Sequence, residues 1–347
     1  MLKFEWAVIG AGPAGIATVG QLVERGINKE QILWIDPYFT VGDFGRHWSN
    51  VDSNTNAAFF RDYLTHLDSF EYNNRQQQYT FDNLDSKQTC KLGTLIEPLS
   101  LITKTLQNKV NVYTGTVVKT HLYNRLWHLT MQDDTVLAAK NVVFATGAIP
   151  KTMSSPDYID NINMYDALNP DTLAKRCGNE DTVAVFGASH SAVILIRDLL
   201  NLNVKKVINF YRQPLKFAVN LGDWILFDDT GLKGNAAIWA QEHLNGKLPN
   251  KLERVYASDT NVMEHLPFCT KVIHAIGFTK RSPLIEGFPE WSHNSYNGII
   301  APGLFGVGIG FPETKTDPYG NTESRVGLRK FMVYLDDVIP LWFKYSV

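Results

Sequence analysis

Three glycines constrain this chain more than any other feature. Gly10, Gly12 and Gly15 punctuate the turn Gly-Ala-Gly-Pro-Ala-Gly at 10–15. An apolar run, Lys3–Ile9, leads into the turn. An apolar-periodic segment, 16–25, leaves it, and a second apolar run, 31–35, stops at Asp36. The order is strand, glycine turn, helix, strand, acid, and each part has a physical role. Gly10 permits a tight turn out of the strand. Gly12 carries no side chain, so a pyrophosphate can approach the backbone and the positive helix N-terminus. Pro13 and Ala14 open the helix, and Gly15 lets it pack against the strand. Asp36 stands 26 positions after Gly10 (10 to 36), where a carboxylate can accept hydrogen bonds from the hydroxyls of an adenosine ribose. A bound dinucleotide is expected here.

A second unit of the same kind begins at Thr182–Phe186 and passes through Gly187-Ala188-Ser189-His190-Ser191-Ala192. An apolar helix then runs to about Leu202, and a strand over 207–211 ends at Arg212. Gly187 to Arg212 spans 25 positions (187 to 212), so the position that is acidic in the first unit is basic in the second. An acid suits a free ribose diol. An arginine suits a 2′-phosphate through its charge and planar fork of donors. The first unit therefore reads as an FAD site and the second as an NADPH site, with Lys216 as a weaker auxiliary. Ser189 and Ser191 offer hydroxyls to the NADPH pyrophosphate, or an N-cap to the helix.

Between and after these units the pattern is plainer. Residues 37–93 are polar and aromatic with little periodicity, and read as loops and short helices. A helix is expected over 95–106, a strand over 110–113, and a β-meander over 116–122, Leu126–Met131 and Val136–Phe144. The meander ends in Ala145-Thr146-Gly147, a small-residue turn suited to close approach by a nucleotide. Residues 213–250 read as an insertion bordering a substrate entrance. Strands are expected over 252–257, 271–276 and 304–307, and a last helix from about Arg325.

At 347 residues the chain has room for about two domains. A net charge of −2 gives no electrostatic case for nucleic acid or an anionic membrane. Cys90, Cys177 and Cys269 are far apart and form no CxxC, which argues against a dithiol centre and for thiols in a reducing, cytoplasmic setting. No leader and no membrane span are expected, and no histidine cluster suggests a metal. The apolar pair Trp342 and Phe343 permits a homodimer without requiring one.

Taken together, these motifs resemble the flavin-containing monooxygenases and related two-dinucleotide-binding-domain FAD/NADPH flavoproteins, over most of the chain and in order. Gly10 to Gly15 resemble the FAD fingerprint. Gly45-Arg46-His47-Trp48 is similar to the family's GGxW, and Ser53-Asn54-Thr55 with Phe60 and Asp62 to its asparagine-threonine segment. Ala145-Thr146-Gly147 resembles the strand end linking the domains, Gly187 to Ala192 the GxSxSG NADPH loop, and Ala275-Ile276-Gly277-Phe278 the ATGY segment. The chain departs from the pattern at Arg46, at Ala192 and over 158–164, where the glycine and histidine of FxGxxxHxxxY are missing.

The resemblance implies an α/β fold of two Rossmann-like (three-layer ββα) dinucleotide-binding domains. The FAD domain is discontinuous, 1–150 plus 285–347, with an NAD(P)H domain over 151–284 inserted in it. It implies that NADPH reduces FAD and that a C4a-peroxyflavin oxygenates sulfur or nitrogen of a small-molecule substrate, with O₂ as co-substrate. It places catalytic Asn54 at the flavin, with His47 and Trp48 beside the ring. Val117, Ala145, Thr146, Gly147 and Gly277 join the cofactor-binding set. Two other readings stay open: a reductase of a quinone or other small acceptor, and a non-catalytic or regulatory flavoprotein.

Overall fold

The computed structural model describes residues 3–288 and 290–347. Two parallel sheets organise the chain. In the first, Lys3–Ile9 pairs in parallel with Ile32–Asp36 on one side and Val136–Phe144 on the other, and Asn111–Thr114 extends it beyond Ile32–Asp36. On its other edge the strand Val136–Phe144 serves two further partners. Its first half closes an antiparallel meander with Leu126–Met131 and Val117–Tyr123, and its second half pairs in parallel with Leu304–Gly306. The second sheet is all parallel: Asp160–Asn161, Lys271–His274, Thr182–Phe186, Lys206–Tyr211 and Leu252–Tyr256 in that spatial order. Its central strand, Thr182–Phe186, is a near-continuous apolar run buried along its whole length because both faces are covered.

The helix Pro13–Glu24 starts where Pro13 pre-sets φ and loses no needed donor. Ala14 to Leu22 are all buried, because the helix lies between the sheet and the final helix Leu328–Trp342. Gln21 Nε2 donates across that contact to Asp336 Oδ1 at 2.6 Å. The final helix buries Leu328, Phe331, Met332, Leu335, Val338, Ile339 and Trp342 at three- and four-residue spacing. Trp342 stacks on Phe305 at 4.7 Å, and Phe305 in turn on Trp6 at 5.9 Å. Trp342 is thus spent in the chain's own core, which removes it as a face for a second copy. Among the described residues no helix is long and apolar enough to cross a membrane.

The two sheets are joined twice. Ala148–Pro150 leaves the first and Phe278–Lys280 returns, and these crossings pair antiparallel with each other. Several expected segments differ in detail. Asn54 lies on a short strand, Asp52–Asn56, paired with Thr89–Lys91, rather than in an open loop. The weakly helical connector before Thr182 holds two short helices, Met164–Ala167 and Pro170–Arg176, each capped by an asparagine side chain. The last helix starts at Leu328, three residues after Arg325, because Thr322–Arg325 is held in a hairpin with Glu313–Thr316.

Candidate functional site

The glycine turn at 10–15 does what its spacing demands. A Cβ on Gly10 would sit 2.3 Å from the Ala145 carbonyl oxygen, and one on Gly15 would sit 1.9 Å from the Gly10 carbonyl oxygen. These two glycines are required by the protein's own backbone. Gly12 is different. Its φ of −77° suits any residue, and the nearest atom to a Cβ there is Gly42 Cα at 3.9 Å. Nothing in the protein explains that missing side chain, whereas a phosphate pressed on the helix N-terminus would. Gly12 N-caps the helix without a side-chain bond, so the first N–H groups stay free for an anion.

Asp36 is buried at the end of its strand. Its Oδ2 accepts from Ala11 N–H at 2.7 Å and its Oδ1 from Tyr38 and Phe39 N–H, both at 2.8 Å. The carboxylate thus ties the glycine turn to the following loop. That loop is strained: Phe39 and the β-branched Val41 have φ of 51° and 62°. The strain brings the helix Gly42–His47 against Gly12, where a Cβ on Gly42 would stand 2.8 Å from Gly12 Cα.

One cavity of about 1390 Å³ opens from this turn, larger than a typical single-ligand pocket of roughly 300–1,000 Å³. It is bordered by Gly10, Gly12, Pro13, Ala14 and Asp36, by Trp48 and Asn54, by Val117, and by Ala145, Thr146 and Gly147. His190 and Ser191 of the second glycine loop border the same cavity. The structure therefore brings both glycine loops and Asn54 to one chamber. His47 does not border the cavity and packs on Tyr165 with ring centroids 4.2 Å apart, and Trp48 also lies against Tyr165 at 5.1 Å. Burial pushes the His47 imidazole down, against the pull of Asp43. Asn54 Oδ1 accepts from the Thr55 hydroxyl at 3.1 Å, and its NH₂ is a neutral donor.

The second loop is tied to the Asn54 strand. His190 Nε2 donates to the Asp52 carbonyl at 2.8 Å, and Arg197 Nη1, seven residues on in the same helix, meets Asp52 Oδ2 at 2.7 Å. Burial pushes the His190 ring well toward its neutral form, and its Nδ1 is buried without a hydrogen-bond partner among the described residues. Burial alone would raise the Asp52 carboxyl, but Lys91 and Arg197 hold it below the usual carboxylate range. Gly187 backs onto Ala275, where a Cβ would lie 2.3 Å from the carbonyl oxygen. Ser189 occupies the N-cap position of the helix His190–Asn201 but makes no side-chain cap bond, so its hydroxyl is uncommitted there.

Gly15, His47, Gly187, Ser189, Arg212 and Gly277 do not border the cavity. Arg212 and Gly277 are exposed beyond their strand ends. Beside the Arg212 strand lies Arg254, which the sequence pattern did not mark. Its half-buried guanidinium lies 4.7 Å over the Tyr211 ring and donates to Asn209 Oδ1 at 3.0 Å. Also unmarked were Gly308, where a Cβ would stand 2.8 Å from the Ala14 Cβ, and Arg281, which bridges Thr146 O and Asp43 Oδ2. The signal for Gly308 was present: an apolar strand running into small residues, as at 142–147.

Comparison with known proteins agrees with this geometry. Residues 4–225 match the pyridine nucleotide-disulphide oxidoreductase family. The chain is 34% identical to the monooxygenase AgnR1 of Paecilomyces divaricatus over a 381-residue alignment, covering 96% of this chain and 97% of that protein. The flavin-containing monooxygenase of Stenotrophomonas maltophilia shares the fold with a TM-score of 0.65 at 14% identity, covering 99% of each chain. The thioredoxin reductase of Lactococcus lactis shares it with a TM-score of 0.60 at 14% identity, covering 99% of this chain and 98% of that one. The chain belongs to the pyridine nucleotide-disulphide oxidoreductase family and is an FAD-dependent oxidoreductase of the monooxygenase type that uses a pyridine nucleotide.

Proposed function

We propose that this enzyme oxygenates a soft nucleophile, sulfur or nitrogen, of a small molecule. The balance is substrate, O₂, NADPH and a proton in; oxygenated substrate, water and NADP⁺ out. When bound, FAD supplies two-electron transfer from NADPH and activation of O₂. Residues 1–150 and 285–347 would hold FAD, and 151–284 would hold NADPH. Gly10, Gly12, Pro13, Ala14 and Asp36 would seat the first dinucleotide. Gly187, Ser189, His190 and Ser191 would seat the second, with Arg212 at its 2′-phosphate.

The observation that carries the reading is the meeting of both glycine loops and Asn54 on one chamber. Asn54 offers a neutral amide donor that does not ionise, suited to hold a reacting oxygen in place without itself delivering a proton. Trp48 lines the same chamber and gives it an apolar wall. The cysteines favour an oxygenase over a dithiol reductase. None of the three borders the cavity, and burial pushes the Cys177 and Cys269 thiols up to about 11.

Rapid-mixing absorbance tests the proposal. Flavin reduced by NADPH, then mixed with oxygenated buffer, is expected to give a long-lived absorbance distinct from the oxidised and reduced forms. Asn54→Ala is expected to retain FAD and shorten that lifetime roughly tenfold or more, the loss of one positioned donor. Direct reoxidation without such a phase in wild type overturns the oxygenase reading in favour of a quinone or small-acceptor reductase.

A further inference from the structure

The cavity does not end at Asn54. It extends between the insertion, 213–250, and the hairpin formed by Glu313–Thr316 and Thr322–Arg325. This arm contains many charged residues, yet nearly all are committed to one another. Lys330 Nζ meets Asp228 Oδ2 at 2.5 Å and Asp229 Oδ1 at 2.7 Å, and Lys233 meets Asp228 Oδ1 at 2.8 Å. Arg325 pairs with Glu313 at 2.8 Å and Arg329 with Asp62 at 2.5 Å. Glu323 accepts from the backbone N–H groups of Asp229 and Thr230. Asp317 is held by Asn321 and three backbone N–H groups of its own turn. Lys315 and Asp223, which make no ion pair among the described residues, are exposed at the rim.

Beside these paired charges the arm offers a ligand an apolar wall. Phe59, Trp224, Ile225, Leu232, Ile238 and Val326 border the arm. Phe59, Ile238 and Val326 are 40%, 55% and 41% exposed, which is surface left without a partner of its own. Trp224 is braced edge-on by Tyr319 at 5.2 Å, so its indole is held as part of the wall.

We infer that this arm selects an uncharged substrate with a flat apolar body, and that the Asp228–Lys330–Lys233 network acts in specificity by cancelling charges that would otherwise recruit an ion. The inference rests on the proposed oxygenase reading for its substrate and deepens it. The physical reason is desolvation. A charged substrate moving past the exposed Lys315 and Asp223 would lose water and find Asp228, Asp229, Lys233 and Lys330 already paired with one another, whereas an uncharged one exchanges apolar surface with the wall.

The test is a titration of the FAD holoenzyme without NADPH, read as perturbation of the oxidised flavin spectrum. The probes are methyl phenyl sulfide, its para-carboxylate and its para-aminomethyl analogue. The neutral sulfide is expected to bind at least tenfold more tightly than either ion, and Trp224→Ala to weaken it about tenfold. Lys330→Met uncovers Asp228 and Asp229, and is expected to improve the ammonium probe selectively; Lys233→Met serves if that variant does not fold. Equal affinity for all three probes in wild type, or no binding of the neutral one, overturns the inference. Turnover separates it from the oxygenase reading. Tight neutral binding with no sulfoxide formed upholds the inference and defeats the oxygenase; sulfoxidation of all three probes at equal affinity does the reverse.

Discussion

Residues that look alike in the glycine turn do different work. Gly10 and Gly15 face protein backbone at 2.3 and 1.9 Å from where a Cβ would stand, while Gly12 has 3.9 Å of room. Gly15→Ala is therefore expected to destabilise the fold itself, by about 1–3 kcal/mol or more. Gly12→Val is expected to leave the apo fold intact and bar FAD. Absorbance of the purified variant, with its unfolding midpoint compared to stripped wild type, checks this. Recovery of fully flavinated Gly12→Val would remove the site assignment. Asp36 was legible from spacing alone, because a strand and a helix of fixed rise bring it back beside the turn. Two of its three backbone N–H donors, Tyr38 and Phe39, were not legible, since they come from a strained loop at 37–41 with no local pattern. Adjacent residues can also part company: Trp48 faces the chamber and His47 faces Tyr165. Neighbours at a helix end diverge by the geometry of the turn, which sequence order does not convey.

At the scale of elements, the repeated strand-turn-helix unit carries the functional contrast. Asp36 ends the second strand of the first unit and Arg212 follows the equivalent strand of the second. Arg212→Ala is expected to weaken NADPH by roughly tenfold to a hundredfold, the loss of about 1.5–3 kcal/mol from a charge-assisted hydrogen bond, and to leave NADH nearly unchanged. Kd values for both coenzymes, from flavin-reduction rates, decide this; equal losses would transfer the role elsewhere, with Arg254 on the neighbouring strand the next residue to replace. The strands and long helices were readable because their apolar periods are strong. The strand that carries Asn54 was not. Asp52–Asn56 is five polar residues, held as a strand by pairing with Thr89–Lys91 rather than by its own propensity.

Across the whole molecule, Asp52 ties the helix of the second glycine loop to the strand that carries Asn54. It accepts Arg197 and Lys91 at its carboxylate and His190 at its carbonyl. Asp52→Asn keeps the shape and removes the charge. It is expected to lose about 1–3 kcal/mol, a few degrees in unfolding midpoint. Because the Asp52 carboxyl is held below its ordinary range, the wild-type advantage is complete above about pH 4. It is lost as pH falls through the lowered folded value. Thermal unfolding from neutral pH into acid tests the sign; equal midpoints at pH 7 would mean the clamp contributes nothing. The sequence by itself determined the two dinucleotide units, their acid-and-base contrast and the order of strands, because these follow from local periodicity and from glycines at fixed offsets. Only the tertiary structure decided that Gly308 completes the first turn, that Trp342 belongs to the core, and that Lys330 of the final helix pairs with Asp228 and Asp229 of the insertion beside an apolar wall. Those outcomes depend on contacts between residues about 40 to 300 positions apart, and nothing local in the chain encodes which distant partner a side chain meets.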